Sequence, residues 1–250
     1  MIASLSMYDW PELRAETNAF WAVLAKRFQA AGFDAPVSLL QGQENAAHWL
    51  RDDLLFSQTC GYPFATELIG KVHLLGTPHY DVEGCEEAHY SSAILVRRDS
   101  GFDSLEDARA GRFAFNGRGS LSGYRCLSLL VGIVENWFSN SMESGGHRTS
   151  ASMVANGEAD VAALDAVCWD MFQRFEPEAA KKLRVLQWTP KLPALPYITS
   201  GSFKADELKL LRLAVSEAID EIKVNGVGKA LKLAGYSLLE ESEYRPLASL

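Results

Sequence analysis

Short apolar runs alternate with amphipathic stretches along this chain, an order that is typical of an α/β fold. The first amphipathic stretch begins at Pro11, repeats apolar residues every three or four positions and stops at Gly32, so it predicts a helix. The short apolar runs predict strands over residues 2–7, 37–40, 54–57, 72–77, 90–97, 113–115, 161–164, 183–188 and 194–200. The other amphipathic stretches predict helices over residues 44–51, 61–69, 122–137, 147–156, 165–175, 205–223 and 228–234.

The order helix, acidic turn and buried strand occurs twice, at residues 49–56 and again at residues 154–161. This repetition predicts two similar α/β lobes. We expect the first lobe to contain residues 1–90 and 194–250, and the second to contain residues 91–193. Two strands would then cross between the lobes, and such a double crossover makes a hinge.

Composition and charge narrow the functional classes. The 250 residues carry 24 Lys and Arg against 32 Asp and Glu, a net charge of −8, and 48% of them are hydrophobic. An acidic chain is a poor candidate for nucleic-acid binding, which needs a basic face. No run approaches the roughly 18 uncharged apolar residues of a membrane helix, and the first ten residues lack the basic and apolar regions of a signal peptide. A cytosolic chain and a chain whose export signal has been removed both remain open.

Polar residues follow the predicted strands, where open α/β sheets bind their ligands. The loop from Gly117 to Gly123 reads Gly-Arg-Gly-Ser-Leu-Ser-Gly, and Ser120 or Ser122 can cap the helix predicted after it. A glycine-rich loop before a helix N-terminus predicts an anion site, although the same residues could serve only as a helix cap. Neither the Walker loop nor the dinucleotide fingerprint is present.

Gly145 and Gly146 precede His147 at the predicted start of a helix. They could aim the imidazole into a cleft between the lobes, where it would donate to an anion, or His147 could be an ordinary surface residue. Ser122, His147 and Asp165 invite a hydrolase triad, but the nucleophile position of the loop carries leucine.

Five residues could be read as a metal site, but none of them have a metal-ligand spacing on a helix, and ordinary loop polarity is the better interpretation. They are His73, His79, Asp81, Cys85 and His89. We therefore expect no catalytic motif, no metal and no cofactor.

Six segments resemble, in order and spacing, the phosphate, phosphite and phosphonate receptors of ABC importers, the PhnD-like branch of the type II periplasmic binding proteins. They are residues 90–100, 104–107, 113–116, 120–124, 145–147 and 157–165. The resemblance extends from Tyr8 to about Trp188. It implies the type II periplasmic binding protein fold, in which two α/β lobes joined by a two-strand hinge enclose the ligand cleft.

The same resemblance implies a function. The chain would be a monomeric, periplasmic, non-enzymatic receptor that binds a small tetrahedral oxyanion and passes it to a membrane permease. An alternative is a cytosolic enzyme or sensor on the same fold that binds a small phosphorylated or heterocyclic metabolite.

Carried over to this sequence, the family's pattern assigns ligand oxygens to Ser120, Ser122 and the amide of Gly123, with His147 and the Tyr90 hydroxyl as further donors. Asp165 would meet a protonated ligand oxygen or a ligand ammonium, since a carboxylate repels a fully ionised phosphonate.

Two residues depart from the family's pattern. Leu121 replaces the middle hydroxyl residue of the family's Ser-Thr-Ser-Gly, and Cys60 stands where some members have a pocket tyrosine. Leu121, Cys60 and Tyr8 complete the set of expected ligand-binding residues. For an exported protein, a disulfide between Cys60 and Cys85 is an open possibility, and two buried thiols are the alternative.

Overall fold

The structure is a computed structural model that describes residues 1–42 and 46–250. Its strands are β1 (Ile2–Ala3), β2 (Leu54–Gln58), β3 (Val72–Tyr80), β4 (Cys85–Glu86), β5 (His89–Tyr90), β6 (Ser92–Arg97), β7 (Arg112–Phe115), β8 (Asn140–Glu143), β9 (Val161–Asp165), β10 (Leu183–Trp188), β11 (Leu192–Pro193), β12 (Tyr197–Ser200) and β13 (Leu233–Ser237). Its α-helices are α1 (Arg14–Ala30), α2 (Ala46–Trp49), α3 (Gly61–Pro63), α4 (Ser128–Val131), α5 (His147–Ala155), α6 (Ala166–Phe175), α7 (Pro177–Ala180), α8 (Ala205–Ile222), α9 (Gly226–Leu231) and α10 (Glu241–Tyr244). Shorter helical turns cover Pro11–Leu13, Phe64–Leu68, Arg125–Leu127, Val134–Asn136 and Arg245–Ser249.

The chain forms two compact units. Unit 1 contains residues 1–81, 86–88 and 193–248, and unit 2 contains residues 82–85, 89–192 and 249–250. Three of the short strands form a separate small sheet in the order β11-β5-β4.

Unit 1 is built on a five-stranded sheet in the order β1-β2-β12-β3-β13, in which β1 and β2 are parallel and β12 runs antiparallel to both of its neighbours. Helix α1 packs on it because its apolar residues recur at helical spacing and bury one stripe. The rings of Trp21 and Phe28 lie 6.2 and 5.8 Å from the ring of Phe56 on β2. Burying one such aromatic side chain contributes about 1.5–3 kcal/mol.

Unit 2 has a second five-stranded sheet, in the order β10-β6-β9-β7-β8. Strands β8 and β9 flank β7 in parallel, while β6 runs antiparallel to β9 and β10. Every residue of β9 is buried, as its continuous apolar run requires for a central strand. The ring of Phe113 stacks on those of Phe138 and Tyr124 at 4.6 and 6.2 Å, which forms an aromatic core on this sheet.

Two of the predicted elements are wrong. Residues 37–40 do not form a strand: the Val37 side chain is 97% exposed, and Leu40 donates a backbone hydrogen bond to Ala3 (2.7 Å). The helix predicted over residues 122–137 is broken into short turns around the four-residue α4. Gly132, at φ +72°, ends α4 with the left-handed backbone that glycine adopts readily.

The sequence analysis also misses β8 and β13. Both lie at the edge of a sheet, where partly exposed residues leave no continuous apolar run. The strand predicted over residues 2–7 contracts to β1, and the one over residues 194–200 contracts to β12. Glu44, the predicted start of a helix, lies outside the described residues, and the helix found there is α2. The remaining predicted elements are confirmed to within a few residues.

None of the helices in the described part of the chain is both long enough and apolar enough to span a membrane.

Candidate functional site

Polar residues collect at one edge of the unit 2 sheet. Because β7, β8 and β9 are parallel, their carboxyl ends meet there, and they are followed or ended by Asn116, Ser144 and Asp165. Ser92 opens the antiparallel strand β6 directly opposite Asp165. This is the edge at which α/β sheets bind their ligands.

Asn116, Ser122, Gly123 and His147 form a packed cluster at this edge. Ser122 is buried, and its Oγ lies 3.0 Å from Nε2 of His147. The Asn116 amide nitrogen lies 3.4 Å from the same Nε2. A Cβ on Gly123 would lie 1.9 Å from Oδ1 of Asn116 and 3.2 Å from Cε1 of His147, so glycine is required for the cluster to close.

The start of α5 is fixed by backbone and hydroxyl contacts. Gly146 caps the helix in an extended conformation, and Ser144 Oγ lies 2.6 Å from Ser150 Oγ. Ser144 Oγ also donates to the carbonyl of Phe115 at the end of β7. These contacts hold the first residue of α5, His147, against the loop that follows β7.

His147 is a neutral imidazole in this setting. The residue as a whole is partly exposed, but its Nδ1 atom is buried and has no hydrogen-bond partner among the described residues. Burial lowers the pKa of His147 to about 4, against a smaller opposing effect of the Ala163 carbonyl. At neutral pH the ring can therefore take part in hydrogen bonds without carrying a charge.

The loop itself differs from the expectation of an anion site at a helix N-terminus. No α-helix begins at Ser120 or Ser122; the next one along the chain is the four-residue α4, which begins at Ser128. Ser120 Oγ instead accepts the Gly123 amide proton at 3.0 Å. Leu121, which was expected to contact the ligand, is completely buried in unit 2. Its apolar side chain suits the interior and leaves Ser122 as the residue of this loop that contacts His147.

Asp165 and Tyr90 are both buried in unit 2. Asp165 Oδ1 accepts hydrogen bonds from the amides of Val167 (2.8 Å) and Cys168 (3.4 Å), so it caps the N-terminus of α6. Tyr90 ends β5, two residues before Ser92. Ser122 contacts His147, but Nδ1 of His147 accepts or donates no hydrogen bond with Asp165. The Ser-His-Asp triad is therefore not formed.

Tyr8 and Cys60, the other two expected residues, belong to unit 1. The ring of Tyr8 meets that of Tyr80 edge to face, with centroids 5.4 Å apart. Cys60 follows β2 and immediately precedes α3.

The proposed disulfide is absent, and Cys60 and Cys85 both carry thiols. Cys60 belongs to unit 1, and Cys85 opens β4 in unit 2. Burial, reinforced by the charge of Asp165, also raises the pKa of Cys85, which disfavours the thiolate that disulfide formation needs.

Sequence reasoning did not select Asn116 in unit 2 or a group of polar residues in unit 1. Asn116 directly follows β7, so the rule that ligand residues follow strands could have selected it. In unit 1, Ser4 follows β1, and its Oγ lies 3.0 Å from Ser57 Oγ and 3.4 Å from His48 Nε2. The Ser4–His48 pair resembles the Ser122–His147 pair of unit 2, but the separation of 44 positions between Ser4 and His48 conceals it in the sequence.

Among the described residues, no group of three or more His, Cys, Asp or Glu side chains is arranged to hold a metal ion. His79, one of the residues considered for such a site, places its Nε2 2.8 Å from Ser237 Oγ.

Comparisons with known proteins agree with this architecture. Three solved structures share the fold. XAC2383 from Xanthomonas citri, bound to chloride, has a TM-score of 0.76 and 17% identity, and the match covers 100% of this chain and 96% of that one. PhnD1 from Prochlorococcus marinus, in complex with methylphosphonate, has a TM-score of 0.73 and 12% identity (100% of this chain and 96% of that one), and a binding protein component of an ABC phosphonate transporter from Pseudomonas aeruginosa has a TM-score of 0.71 and 17% identity (99% of this chain and 83% of that one). At these identities the likeness shows the fold, which is that of the type II periplasmic binding proteins.

Sequence similarity adds the family. The phosphonates-binding periplasmic protein of Escherichia coli (strain K12) is 29% identical over 116 residues, which are 44% of this chain and 34% of that protein. The matched segment therefore spans about a third of the length of that curated relative. The family model described as "ABC transporter, phosphonate, periplasmic substrate-binding protein" matches residues 51–244, more than half of the chain. The chain thus belongs to the family of periplasmic substrate-binding proteins of phosphonate ABC transporters.

Proposed function

We propose that this protein is the receptor of an ABC importer and that it binds a small tetrahedral oxyanion, a phosphonate, phosphite or phosphate, at the carboxyl edge of the unit 2 sheet. Membership of the family supports the function. The observation that carries the location is the cluster in which Ser122, Asn116 and His147 meet within 3.4 Å at that edge. We further propose that the protein acts in the periplasm, as a monomer, and that its partner is a membrane permease.

The donors of this edge suit an anion, which only accepts hydrogen bonds. Ser122 would turn its hydroxyl proton toward a ligand oxygen, and His147 would support it or donate directly. The Ser120 hydroxyl and the Gly123 amide bind each other in the structure, so a ligand oxygen would replace that contact. Tyr90 remains a proposed donor. Hydrogen bonds to a charged oxygen contribute about 1.5–3 kcal/mol each.

Asp165 shapes the choice of ligand. Its Oδ1 is engaged in capping α6, yet the carboxylate remains at the same edge of the sheet as the donors. A carboxylate beside an anion favours ligands that carry a proton or an amine on the side that faces it. We therefore propose that 2-aminoethylphosphonate and singly protonated phosphonates bind better than fully ionised ones.

A receptor fits the geometry better than a hydrolase. Ser122 and His147 are in contact, as a nucleophile and its base would be, but no carboxylate among the described residues hydrogen-bonds to Nδ1 of His147. A catalytic base works best when its pKa lies near the working pH, and burial lowers the pKa of His147 to about 4. A neutral, weakly basic ring suits binding without proton abstraction.

Calorimetry with phosphate, phosphite, methylphosphonate and 2-aminoethylphosphonate tests the proposal. We expect at least one of these anions to bind, and we expect Ser122→Ala to weaken its binding by about 1–3 kcal/mol, since a charge-assisted hydrogen bond is lost. Ser139→Ala is the matched control, because Ser139 is exposed and its Oγ donates to the carbonyl of Gly111. Folded protein that gives no heat with any of the four anions would contradict the proposed function.

A further inference from the structure

The Nε2 atom of His147 has two neighbours that can donate a proton to it. The Ser122 hydroxyl oxygen lies 3.0 Å away, and the Asn116 amide nitrogen lies 3.4 Å away. A hydroxyl can donate or accept a hydrogen bond, whereas an amide nitrogen only donates. The contact with Asn116 is therefore favourable only when Nε2 is unprotonated and accepts. Because the ring is neutral at neutral pH, its single proton then resides on Nδ1.

The packing of Asn116 decides which end of its amide faces the imidazole. Its Oδ1 atom is buried, has no hydrogen-bond partner among the described residues and lies on the side of Gly123, where it would be 1.9 Å from a Cβ on that glycine. The opposite orientation would place the amide NH2 group there and leave two donors unpaired. An unpaired buried acceptor is tolerated better than unpaired buried donors, so the NH2 group faces His147.

Asn116 works against the preference of the rest of the ring environment. Nδ1 of His147 is buried and has no hydrogen-bond partner among the described residues, so a proton on that atom is costly. On Nε2 the same proton could be accepted by the Ser122 hydroxyl oxygen, which lies within hydrogen-bond distance. The donor that opposes this arrangement is the Asn116 amide.

The lone pair of Nε2 also connects Asn116 to ligand binding. Nε2 has one lone pair, and the closer of its two donors is Ser122. An anion that accepts the Ser122 proton deprives Nε2 of that hydrogen bond. An acceptor left without a partner inside a protein costs much more than one that changes partners. Asn116 is already in place as the second donor, at the end of β7 and beside a glycine that leaves room for its amide.

We propose that Asn116 is a positioning residue that keeps the proton of His147 on Nδ1 and takes over the Nε2 lone pair when a phosphonate accepts the Ser122 proton. The inference rests on the proposed function and adds a residue that supports binding through His147. It also narrows the role of His147, because an unprotonated Nε2 supports Ser122 and cannot itself donate to the ligand.

Nitrogen NMR of the isotopically labelled, ligand-free protein at neutral pH measures the tautomer, since protonated and unprotonated imidazole nitrogens differ in chemical shift. The signals of His147 are identified by their loss in His147→Gln. We expect the proton on Nδ1 in the wild-type protein and on Nε2 in Asn116→Ala, where Ser122 becomes its acceptor. A proton on Nε2 in the wild-type protein would overturn the inference, whether or not a ligand binds.

Calorimetric titration with methylphosphonate measures the effect on binding. We expect Asn116→Ala to raise the Kd about tenfold, the usual effect of losing one hydrogen bond. Either the wild-type tautomer or the wild-type Kd in this variant would overturn the inference. Asn140→Ala is the matched control, because Asn140 is exposed at the start of β8 and should keep both.

Asn116→Asp decides the inference if Asn116→Ala does not fold. Its carboxylate cannot donate, so a proton should appear on Nε2, and an unprotonated Nε2 would contradict the proposed role. Wild-type protein that binds no methylphosphonate would remove the contribution to binding, and the tautomer of the ligand-free protein would then decide whether Asn116 positions the proton of His147.

Discussion

Replacing Gly123 with alanine tests the packing of the binding cluster by the addition of a single methyl group. The new carbon would lie 1.9 Å from Oδ1 and 2.7 Å from Cγ of Asn116. Ordinary van der Waals contact begins at 3.4 Å, so the Asn116 amide has to retreat by about 1.5 Å. That movement breaks its 3.4 Å contact with Nε2 of His147.

We expect Gly123→Ala to lower the free energy of unfolding by about 1–3 kcal/mol, the usual range for overpacking a buried site. In a chain of this size this corresponds to a fall in Tm of roughly 2–4 °C per kcal/mol. Because Ser122 and His147 depend on the same packing, methylphosphonate affinity should fall at least about tenfold. Thermal unfolding and calorimetric titration measure the two effects separately.

Gly119→Ala is the control, since a Cβ at Gly119 meets nothing within 4 Å and its φ is not left-handed. It should leave affinity unchanged and stability equal or slightly higher, because alanine reduces the entropy of the unfolded chain. Adding Asn116→Ala to Gly123→Ala should recover about 1 kcal/mol or more of the lost stability, since the clash is removed. Wild-type Tm and wild-type affinity in Gly123→Ala would refute the described packing.

Three further changes probe single interactions. Asp165→Ala should lower the free energy of unfolding by about 1 kcal/mol, because the side-chain cap of α6 is lost. Asp165→Asn keeps the cap, and calorimetric titration of this variant should show no preference for an amine-bearing phosphonate. Burial lowers the pKa of His147 to about 4, so as the pH falls below about 6.5 the unfolded chain takes up a proton before the folded chain does. The free energy of unfolding, measured with urea, should therefore fall by about 1–3 kcal/mol by pH 4. His147→Gln should show a smaller fall over the same pH range. Tyr244→Phe should cost about 1–3 kcal/mol in urea unfolding, because its buried hydroxyl donates to the Ala194 carbonyl (2.9 Å) and contacts Thr77 (2.7 Å).

The loop after β7 explains why only part of the site could be predicted. Ser122 and His147 were selected because each follows a strand or opens a helix, and these local rules depend on neighbouring residues alone. The helix predicted after Ser122 does not form, because Gly132 interrupts it and because Leu127 and Val134 are buried from two separate helical turns. Local spacing could not reveal that the Gly123 amide donates to Ser120 Oγ.

Asn116 and Asp165 illustrate the same limit. Asn116 was visible as the residue after a strand, but its contact with His147 depends on the parallel pairing of β7 with β8, which precedes α5, and on the absence of a side chain at Gly123. The acidic residue after β9 was also visible in the sequence. Its role as the cap of α6 depends on the direction in which the chain turns after the strand.

The sequence by itself determined the α/β class, most helix and strand positions and the family resemblance, because apolar periodicity, glycine placement and motif order are local properties. The tertiary structure decided which polar residues meet. Residues 116, 122, 123 and 147 come together only because strand pairing in unit 2 brings separate loops to one edge of the sheet. The neutral charge state of His147 was decided there as well, since burial is set by everything that packs around the ring and by no single stretch of sequence.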